Sequence, residues 1–315
     1  MKILVAGATG VMGRVLVPKL VERGHEVAGM TRSESKRELV RGLGAQPVVA
    51  DALDPRAVAQ AVAEAEPETI VHQLTALAGR LDIRKIEQSF ELTNRLRTEG
   101  TDHLVAAGRA IGTRRFVAQS FAGWPFARIG GPVKTEDDPL DTDPPPQMRT
   151  VLAAIRHVED AVTGADGLEG VVLRYGGFYG PGTSMGLDPD GEQVAALRAR
   201  KIPIVGDGGG VWSFVHVEDA AEATALAVER GAPGIYNVVD DSPAPVREWA
   251  PAAARALGAK PPRRFPKWLG RIAAGEAAVV MMTESRGASN AKAKRELGWQ
   301  PRHASMWDSL ATGSD

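Results

Sequence analysis

The sequence predicts an α/β fold: a doubly wound parallel sheet followed by a smaller C-terminal lobe. Short apolar runs bounded by turn residues alternate with longer amphipathic stretches through the first half of the chain. Such runs are typical of strands buried on both faces, and the stretches between them are typical of helices that cross over to the next parallel strand. Beyond residue 180, segments rich in Gly and Pro interrupt this alternation.

Each element follows from its own apolar pattern. Strands are predicted at Lys2–Ala6, Glu26–Met30, Gln46–Ala50, Thr69–His72, Arg115–Ala118, Gly170–Arg174 and 234–239. Helices are predicted at Gly13–Arg23, Ser35–Gly42, Arg56–Glu64, Ile83–Gly108, Thr150–Thr163, Gly191–Ala199, 217–230 and 246–257. We therefore expect residues 1–180 to form mainly the sheet domain. Residues 181–315 should form mainly the smaller lobe, with some strands and helices returning to the core.

Composition excludes several classes of protein. The 315 residues carry a formal net charge of −1, which gives no electrostatic footprint for nucleic acid or an anionic membrane. Cysteine is absent, so disulfides, thiolate metal sites and thiol nucleophiles are excluded. No apolar run approaches the length of a membrane span, and no signal-peptide pattern opens the chain. We expect a cytoplasmic protein, monomer or homodimer, whose partner is a small molecule.

The strongest motif joins the first strand to the first helix. It reads Gly7-Ala8-Thr9-Gly10-Val11-Met12-Gly13. The first glycine allows a tight turn, the second lets the backbone approach a pyrophosphate, and the third lets the helix pack closely on the sheet. The amides of Val11 and Met12 would point at the phosphates from the positive end of the helix. This context predicts a Rossmann dinucleotide site.

The end of the second strand indicates which dinucleotide binds. An NAD site places an acidic residue there to bond the ribose 2′-hydroxyl, but this chain has Thr31, followed by Arg32 and Ser33. A guanidinium with flanking hydroxyls suits a 2′-phosphate. We therefore expect NADP (NADPH) as the cofactor. The alternative, that Arg32 is only a solvated loop residue, stays open.

Further motifs follow one another along the chain in the order found in the extended short-chain dehydrogenases/reductases, the NAD(P)-dependent epimerases and dehydratases, and the chain resembles that family. The resemblance covers nearly the whole chain. It implies that Asp51 and Ala52 contact the adenine, that Gln73, Leu74 and Thr75 line the cofactor, that Ser120 stands in the place of the catalytic serine, and that Tyr175, Gly177 and Phe178 belong to the loop around the nicotinamide. The segment Phe214–Asp219 is similar to a late, mainly structural motif of the family.

The chain departs from this family at the catalytic pair. The family carries Tyr-x-x-x-Lys followed four residues later by Glu, and Glu159 aligns the pair with Val151 and Ile155. The usual proton donor is therefore missing. In the preceding helix, Arg97 stands where the family often has Asn, and the sequence gives it no role.

A second departure concerns the substrate. Members that bind nucleotide sugars have an arginine about where Trp212 stands, and an indole suits an apolar or aromatic ligand instead of a diphosphate. Phe121, Trp124 and Phe126 follow Ser120 and could form a facing wall. Ordinary core packing is the alternative for all four aromatic residues.

Three functions fit these observations. The first is an NADPH-dependent ketoreductase acting on a bulky aromatic, polyketide-like carbonyl, similar to atypical family members of bacterial antibiotic pathways. Ser120 would hold the carbonyl, and the proton would come from water or the substrate. The second is a nucleotide-sugar epimerase or dehydratase, and the third is a non-catalytic NADP-binding sensor. The spacing of His72, His157 and His216 does not indicate a metal site, so no metal is expected.

Overall fold

Seven parallel strands form the central sheet of the structure, a computed structural model that describes residues 1–77, 85–188 and 191–313. The strands are β1 (Lys2–Ala6), β2 (Glu26–Thr31), β3 (Gln46–Val49), β4 (Thr69–His72), β5 (Arg115–Phe121), β7 (Glu169–Tyr175) and β12 (Gly234–Val238). They lie in the order β12-β7-β5-β4-β1-β2-β3, with every neighbouring pair parallel. The predicted doubly wound sheet is confirmed, and its topological switch point lies between β1 and β4.

Helices cover both faces of the sheet. The helices α1 (Val11–Glu22), α8 (Val217–Arg230) and α11 (Ala291–Leu297) pack in one apolar cluster. The helices α3 (Pro55–Ala65), α5 (Glu99–Ile111) and α6 (Arg149–Thr163) pack in a second cluster on the other face. The short α2 (Arg37–Gly42) lies beside β3. Because both faces are covered, the strands are mostly buried and rich in apolar residues.

The predicted helix Ile83–Gly108 is two helices in the described residues, α4 (Ile86–Arg97) and α5, and the start at Ile83 lies outside the described residues. They are separated at Thr98, where φ is −96° and ψ is −84°. The Thr98 hydroxyl donates to the Asn94 carbonyl over 3.0 Å, and such local bonds compete with the helical ladder. The apolar period continues across the break, so the residue pattern alone predicts one continuous helix.

The second half of the chain contributes to both the sheet and a smaller lobe. The strand β12 and the helices α8 and α11 belong to the core already described. The lobe contains the strands β9 (Ile204–Val205), β10 (Val211–Trp212), β13 (Ala244–Pro245) and β14 (Arg264–Phe265), and the helices α7 (Glu192–Arg198), α9 (Val246–Ala256), α10 (Lys267–Thr283) and α12 (Met306–Thr312).

Two short parallel pairs connect the lobe to the carboxyl edge of the sheet. The strand β8 (Gly177–Tyr179) pairs with β11 (Phe214–His216), directly after β7. The strand β6 (Val133–Lys134) pairs with β15 (Gly287–Ala288), which brings the segment after β5 against a late part of the chain. Among the helices in the described ranges, none is long and apolar enough to cross a membrane.

Candidate functional site

The glycine loop lies between β1 and α1 at the carboxyl edge of the sheet. Gly7 has a φ of +95°, and a Cβ there would lie 2.8 Å from the Gln73 carbonyl oxygen. A Cβ at Gly13 would approach the Gly7 oxygen to 2.3 Å, so any side chain there would push the helix away from the loop. The backbone is therefore closely packed and carries no side chain at these glycines, where a dinucleotide would lie.

The first turn of α1 carries the amides that we expect to meet the phosphates. Gly10 is the N-cap residue, and no side chain caps the turn. Val11 and Thr9 are half-buried, Met12 is buried, and the Thr9 carbonyl accepts a hydrogen bond from Arg14 Nε over 3.2 Å. An uncapped helix N-terminus carries partial positive charge, so these residues fit a pyrophosphate.

The end of β2 lies beside this loop because β1 and β2 pair in parallel. Thr31 is buried, and its Oγ1 accepts a hydrogen bond from the Ser33 amide over 3.4 Å. Arg32 is exposed and forms no hydrogen bond or ion pair with another described residue. The Ser33 and Ser35 hydroxyls lie 2.7 Å apart. A 2′-phosphate would therefore meet an accessible guanidinium and hydroxyls.

The expected adenine pair follows β3. Asp51 is exposed, and its Oδ1 accepts a hydrogen bond from the Leu53 amide over 3.0 Å. Ala52 is buried, and its carbonyl lies 2.9 Å from His103 Nδ1. The carboxylate of Asp51 is the exposed member of the pair.

The segment after β4 is held by a buried histidine that the sequence did not single out for this purpose. His72 Nδ1 accepts a hydrogen bond from the Leu74 amide over 3.2 Å, and Nε2 donates to the Leu96 carbonyl over 3.3 Å. Burial lowers the pKa of His72 to about 4, so the ring is neutral at neutral pH. Gln73 is buried, Leu74 is half-buried and Thr75 is exposed. Of the three side chains, that of Thr75 is therefore the most accessible to a cofactor.

The expected nicotinamide loop needs one revision. The Tyr175 side chain is buried in the core, where its hydroxyl accepts a hydrogen bond from Gln73 Nε2 over 3.2 Å and lies 2.7 Å from Thr224 Oγ1. Burial raises the pKa of Tyr175 above its usual range. Any contact of Tyr175 with a ligand would come from its backbone. Gly177 and Phe178 are half-buried, and the Phe178 ring lies 5.3 Å from the Tyr175 ring.

Ser120 belongs to a buried ionic network. Its hydroxyl donates to Glu159 Oε1 over 2.6 Å. The same carboxylate accepts 2.7 Å hydrogen bonds from Arg174, from Nε to Oε1 and from Nη2 to Oε2. All three residues are at most 5% exposed. Because a hydroxyl has one hydrogen, Ser120 in this arrangement has none left to donate to a substrate oxygen. The expected catalytic role of Ser120 therefore does not fit this geometry.

The two positions that the catalytic pair would occupy hold buried apolar side chains. Val151 and Ile155 on α6 are 0% and 1% exposed, and they pack in a cluster with Phe121 and Trp124. The basic side chains of neighbouring residues on α6 make their contacts with other parts of the chain. Arg156 donates to the carbonyls of Leu140 and Asp141, His157 Nε2 lies 2.7 Å from Asp102 Oδ1, and Arg149 is 3.9 Å from Asp143. None of these α6 side chains replaces the missing proton donor.

The expected aromatic wall divides into two clusters. The rings of Phe121 and Trp124, both half-buried, lie 6.5 Å apart. Trp212, also half-buried, lies 5.2 Å from Trp249 in the lobe cluster, and its Nε1 donates to the Met281 carbonyl over 2.8 Å. The Met281 side chain packs in a cluster with Trp124, so it links the two aromatic groups.

Phe126 does not belong to the wall. It is 1% exposed, and the Arg174 guanidinium lies 5.3 Å from the centre of its ring. Phe126 is therefore core packing beneath the ionic network, as the alternative interpretation held.

Arg97, at the end of α4, is a buried cation next to this network. Its side chain is 5% exposed and lies 6.0 Å from the centre of the Phe90 ring. Burial lowers the pKa of Arg97 to about 10, while the negative charge of Glu159 opposes that shift. Among the described residues, none accepts a hydrogen bond from Nε or Nη1. The sequence signal was spacing: Ile86, Phe90, Thr93 and Arg97 recur every three or four residues on one helix face.

One group of potential metal ligands comes together at the lobe junction. Ligand atoms of His216, Glu218 and His303 lie within 4.8 Å of one another. The two imidazole rings stack, with their centres 3.7 Å apart. His216 Nδ1 accepts a hydrogen bond from the Glu218 amide, and His303 Nδ1 lies 3.0 Å from Asp219 Oδ2. We assign this group to packing.

The chain is similar to proteins of known function over nearly its whole length. A relative from a Streptomyces species, named 3-diazoavenalumate denitrifying reductase, is 47% identical over 311 residues, covering 98% of this chain and 99% of the relative. A Stigmatella aurantiaca relative, named 4-hydroxy-2-methyl-3-oxo-4-farnesyl-3,4-dihydroquinoline-1-oxide ketoreductase, is 26% identical and covers 96% of this chain and 92% of its own.

Among solved structures, the Thermus thermophilus UDP-glucose 4-epimerase in complex with NAD is similar, with a TM-score of 0.73 and 27% identity. The similarity covers 99% of this chain and 97% of the epimerase. The family model for the NAD dependent epimerase/dehydratase family matches residues 3–238. The family model and the NAD-bound structure support a nicotinamide cofactor, the relatives are named as reductases, and the chain is an enzyme that belongs to the NAD dependent epimerase/dehydratase family.

Proposed function

We propose that this enzyme is an NADPH-dependent reductase that removes the diazo group of an aromatic substrate as dinitrogen. The observation that carries the proposal is the apolar environment of Val151 and Ile155. A helix that holds the proton donor in this family here offers none, and Ser120 already donates its hydrogen to Glu159. The reaction should therefore be one that needs a hydride but no proton.

Reduction of an aryldiazonium ion meets that requirement. A bound NADPH would supply a hydride, with two electrons. The new C–H bond forms with that electron pair, and the C–N bond breaks with its pair leaving on nitrogen, so Ar–N₂⁺ plus H⁻ gives Ar–H plus N₂. Charge and atoms balance without a proton. Reduction of a ketone, by contrast, leaves an alkoxide that must be protonated.

The name of the Streptomyces relative supports this chemistry, because it states a diazo substrate and a denitrifying reduction. At 47% identity over nearly the full length of both chains, the likeness includes the segments that carry the site. A bacterial antibiotic pathway is the setting that we infer.

The cofactor site supports NADPH. Gly7, Gly10 and Gly13 would leave room for the pyrophosphate, and the first turn of α1 would bind it. Arg32 is exposed beside that site and would pair with the 2′-phosphate. The chain's part in the reaction is to hold the nicotinamide face against the substrate and to exclude water.

The aromatic residues support an aromatic substrate. Phe121 and Trp124 would cover one side of the ring, and Trp212 would contact it from the lobe, with its indole fixed by the Met281 carbonyl. Aromatic faces also attract a cation, so this wall would favour a diazonium group.

A ketoreductase acting on a bulky aromatic carbonyl is the second candidate. The Stigmatella relative, named a ketoreductase, supports it. In that case the proton would come from water or from a hydroxyl on the substrate. An epimerase of nucleotide sugars is disfavoured, because Trp212 stands where a diphosphate would need a cation and the Tyr/Lys pair is absent.

The test uses 4-carboxybenzenediazonium with NADPH deuterated at the transferred position, beside a panel of aromatic ketones. We expect enzyme-dependent loss of NADPH absorbance, release of dinitrogen, and one deuterium in the benzoate product by mass spectrometry. Enzyme-free mixtures measure the spontaneous reaction. Turnover of ketones with no acceleration of the diazonium reaction would favour the second candidate and reject the first.

A further inference from the structure

Arg97 is a buried positive charge that the described structure leaves incompletely neutralised. Glu159 is the acid that attracts it, but both oxygens of Glu159 already accept hydrogen bonds from Arg174. Arg97 Nε and Nη1 are buried, and in the described part of the chain no acceptor reaches either nitrogen. A buried guanidinium is costly unless it is paired and its hydrogens are bonded. This arrangement therefore suits an anion that is supplied from outside the chain.

The guanidinium lies beside a group of aromatic side chains. It is 6.0 Å from the centre of the Phe90 ring. Phe90 and Trp124 pack against the same buried clusters, and the Trp124 ring lies 6.5 Å from that of Phe121. The three aromatic side chains all pack against the cluster that holds Val151 and Ile155, the positions of the missing catalytic pair, and the Arg97 cation lies next to Phe90.

We propose that Arg97 binds the carboxylate of an elongated aromatic substrate, whose ring lies along Phe90, Trp124 and Phe121. This inference rests on the proposed function and names its substrate class: an aryl compound with a carboxylate at the end opposite the reacting group. A guanidinium binds a carboxylate through charge-assisted hydrogen bonds. It also repels a cationic group, so the carboxylate of a diazonium substrate is drawn to Arg97 and the diazonium end is directed away from it.

The position of Arg97 on α4 supports a role in binding over a role in folding alone. Its helix face carries Ile86, Phe90 and Thr93, which are buried or half-buried. A leucine or methionine would complete that face without any cost of burying charge. Arg97 is therefore best explained by the ligand that it receives.

The experiment measures binding of two redox-inert probes to the protein saturated with NADP⁺, by calorimetry. The probes are trans-cinnamate and its neutral methyl ester, which differ at the carboxylate. We expect the parent to bind cinnamate at least about tenfold more tightly than the ester. Arg97→Gln should weaken cinnamate binding by about 10- to 100-fold, the range for a lost charge-assisted hydrogen bond, and leave ester binding within about threefold.

Two further variants make the result specific. Arg95→Gln removes an exposed cation from the same helix, where Arg95 pairs with Glu99, and should leave both affinities unchanged. Arg97→Lys keeps the charge and should retain part of the preference for cinnamate. The comparison of acid with ester in the parent needs no variant, so it tests the proposal even if Arg97→Gln does not fold.

The proposal is overturned if the parent binds neither probe, or binds acid and ester equally. It is also overturned if Arg97→Gln weakens the two equally, or weakens NADP⁺ binding and leaves cinnamate binding intact. Because the probes cannot be reduced at a diazo group, the outcome is separate from that of the turnover assay. Carboxylate binding through Arg97 with no diazonium turnover would reject the proposed reaction alone.

Discussion

Glu159→Gln should destabilise the protein strongly, because Glu159 is the anion of a buried pair. The side chains of Arg174 and Glu159 are each 5% exposed and share two 2.7 Å hydrogen bonds. The amide would place an NH₂ group where one carboxylate oxygen now accepts from Arg174, so two donors would face each other. It would also leave the charges of Arg174 and Arg97 without the acid that attracts them. Breaking a buried pair on one side costs about 3–5 kcal/mol.

The assay is the free energy of unfolding from urea titration, with Glu99→Gln as the control. Arg95 and Glu99 also form a 2.8 Å ion pair, but their side chains are 50% and 44% exposed. Water and salt screen an exposed pair, so it contributes far less to stability than a buried one. The two carboxylate-to-amide changes should thus differ by several kcal/mol, although each removes one negative charge.

A second variant tests whether the loss of stability comes from leaving Arg174 charged and unpaired. In Glu159→Met combined with Arg174→Met, neither buried charge of the pair remains, so the double variant should be less destabilised than Glu159→Gln alone. The reasoning is wrong if Glu159→Gln loses less than about 1 kcal/mol, or if the double variant is the less stable of the two.

Four other changes have definite expected outcomes. Arg32→Ala should weaken NADPH binding at least about tenfold in calorimetry and leave NADH binding unchanged; equal affinities for both cofactors in the parent would refute the role of Arg32. Trp212→Arg should weaken binding of an aromatic ligand, measured by the same method, without changing NADPH affinity; unchanged aromatic binding would remove Trp212 from the site. Ser120→Ala should leave NADPH-dependent reduction measurable in stopped flow, because its hydroxyl donates to Glu159; a dead variant that folds would restore a catalytic role. Burial raises the pKa of Asp240 to about 8, so the folded protein holds a proton that the unfolded chain releases above about pH 4. Asp240 should thus make stability fall as pH rises from about 4 to 8, and Asp240→Asn should gain thermal stability relative to the parent more at pH 8 than at pH 5; an equal gain at both would contradict this.

The sheet could be predicted because each strand carries its own signal. Continuous apolar runs such as Lys2–Ala6 and Thr69–His72 leave few alternatives to buried parallel strands, and the glycine loop fixes where the first strand ends. The break at Thr98 could not be predicted, since the apolar period runs through it. It depends on the backbone dihedral angles of Thr98, which the sequence pattern does not encode.

The site was predicted less completely, because partners distant in sequence decide its chemistry. The loss of the Tyr/Lys pair followed from Glu159 alone, and the structure adds that Val151 and Ile155 are buried. Where the hydroxyl of Ser120 points depends on Glu159, which lies 39 residues away. Arg97 was noted by its place in the helix, but only its burial indicates what it does.

The pairing of β6 with β15 has a consequence for how the protein is made. The Gly287 and Ser289 amides donate to the carbonyls of Pro132 and Lys134, so the segment that follows Phe121 is tied to chain that is translated more than 150 residues later. A growing polypeptide that has completed β5 and α6 still lacks this tether, and its aromatic surface has no lobe to cover it. The helix α11, which packs with α1, also follows β15 in the chain, so we expect the aromatic surface and the core beneath the glycine loop to be completed only late in synthesis.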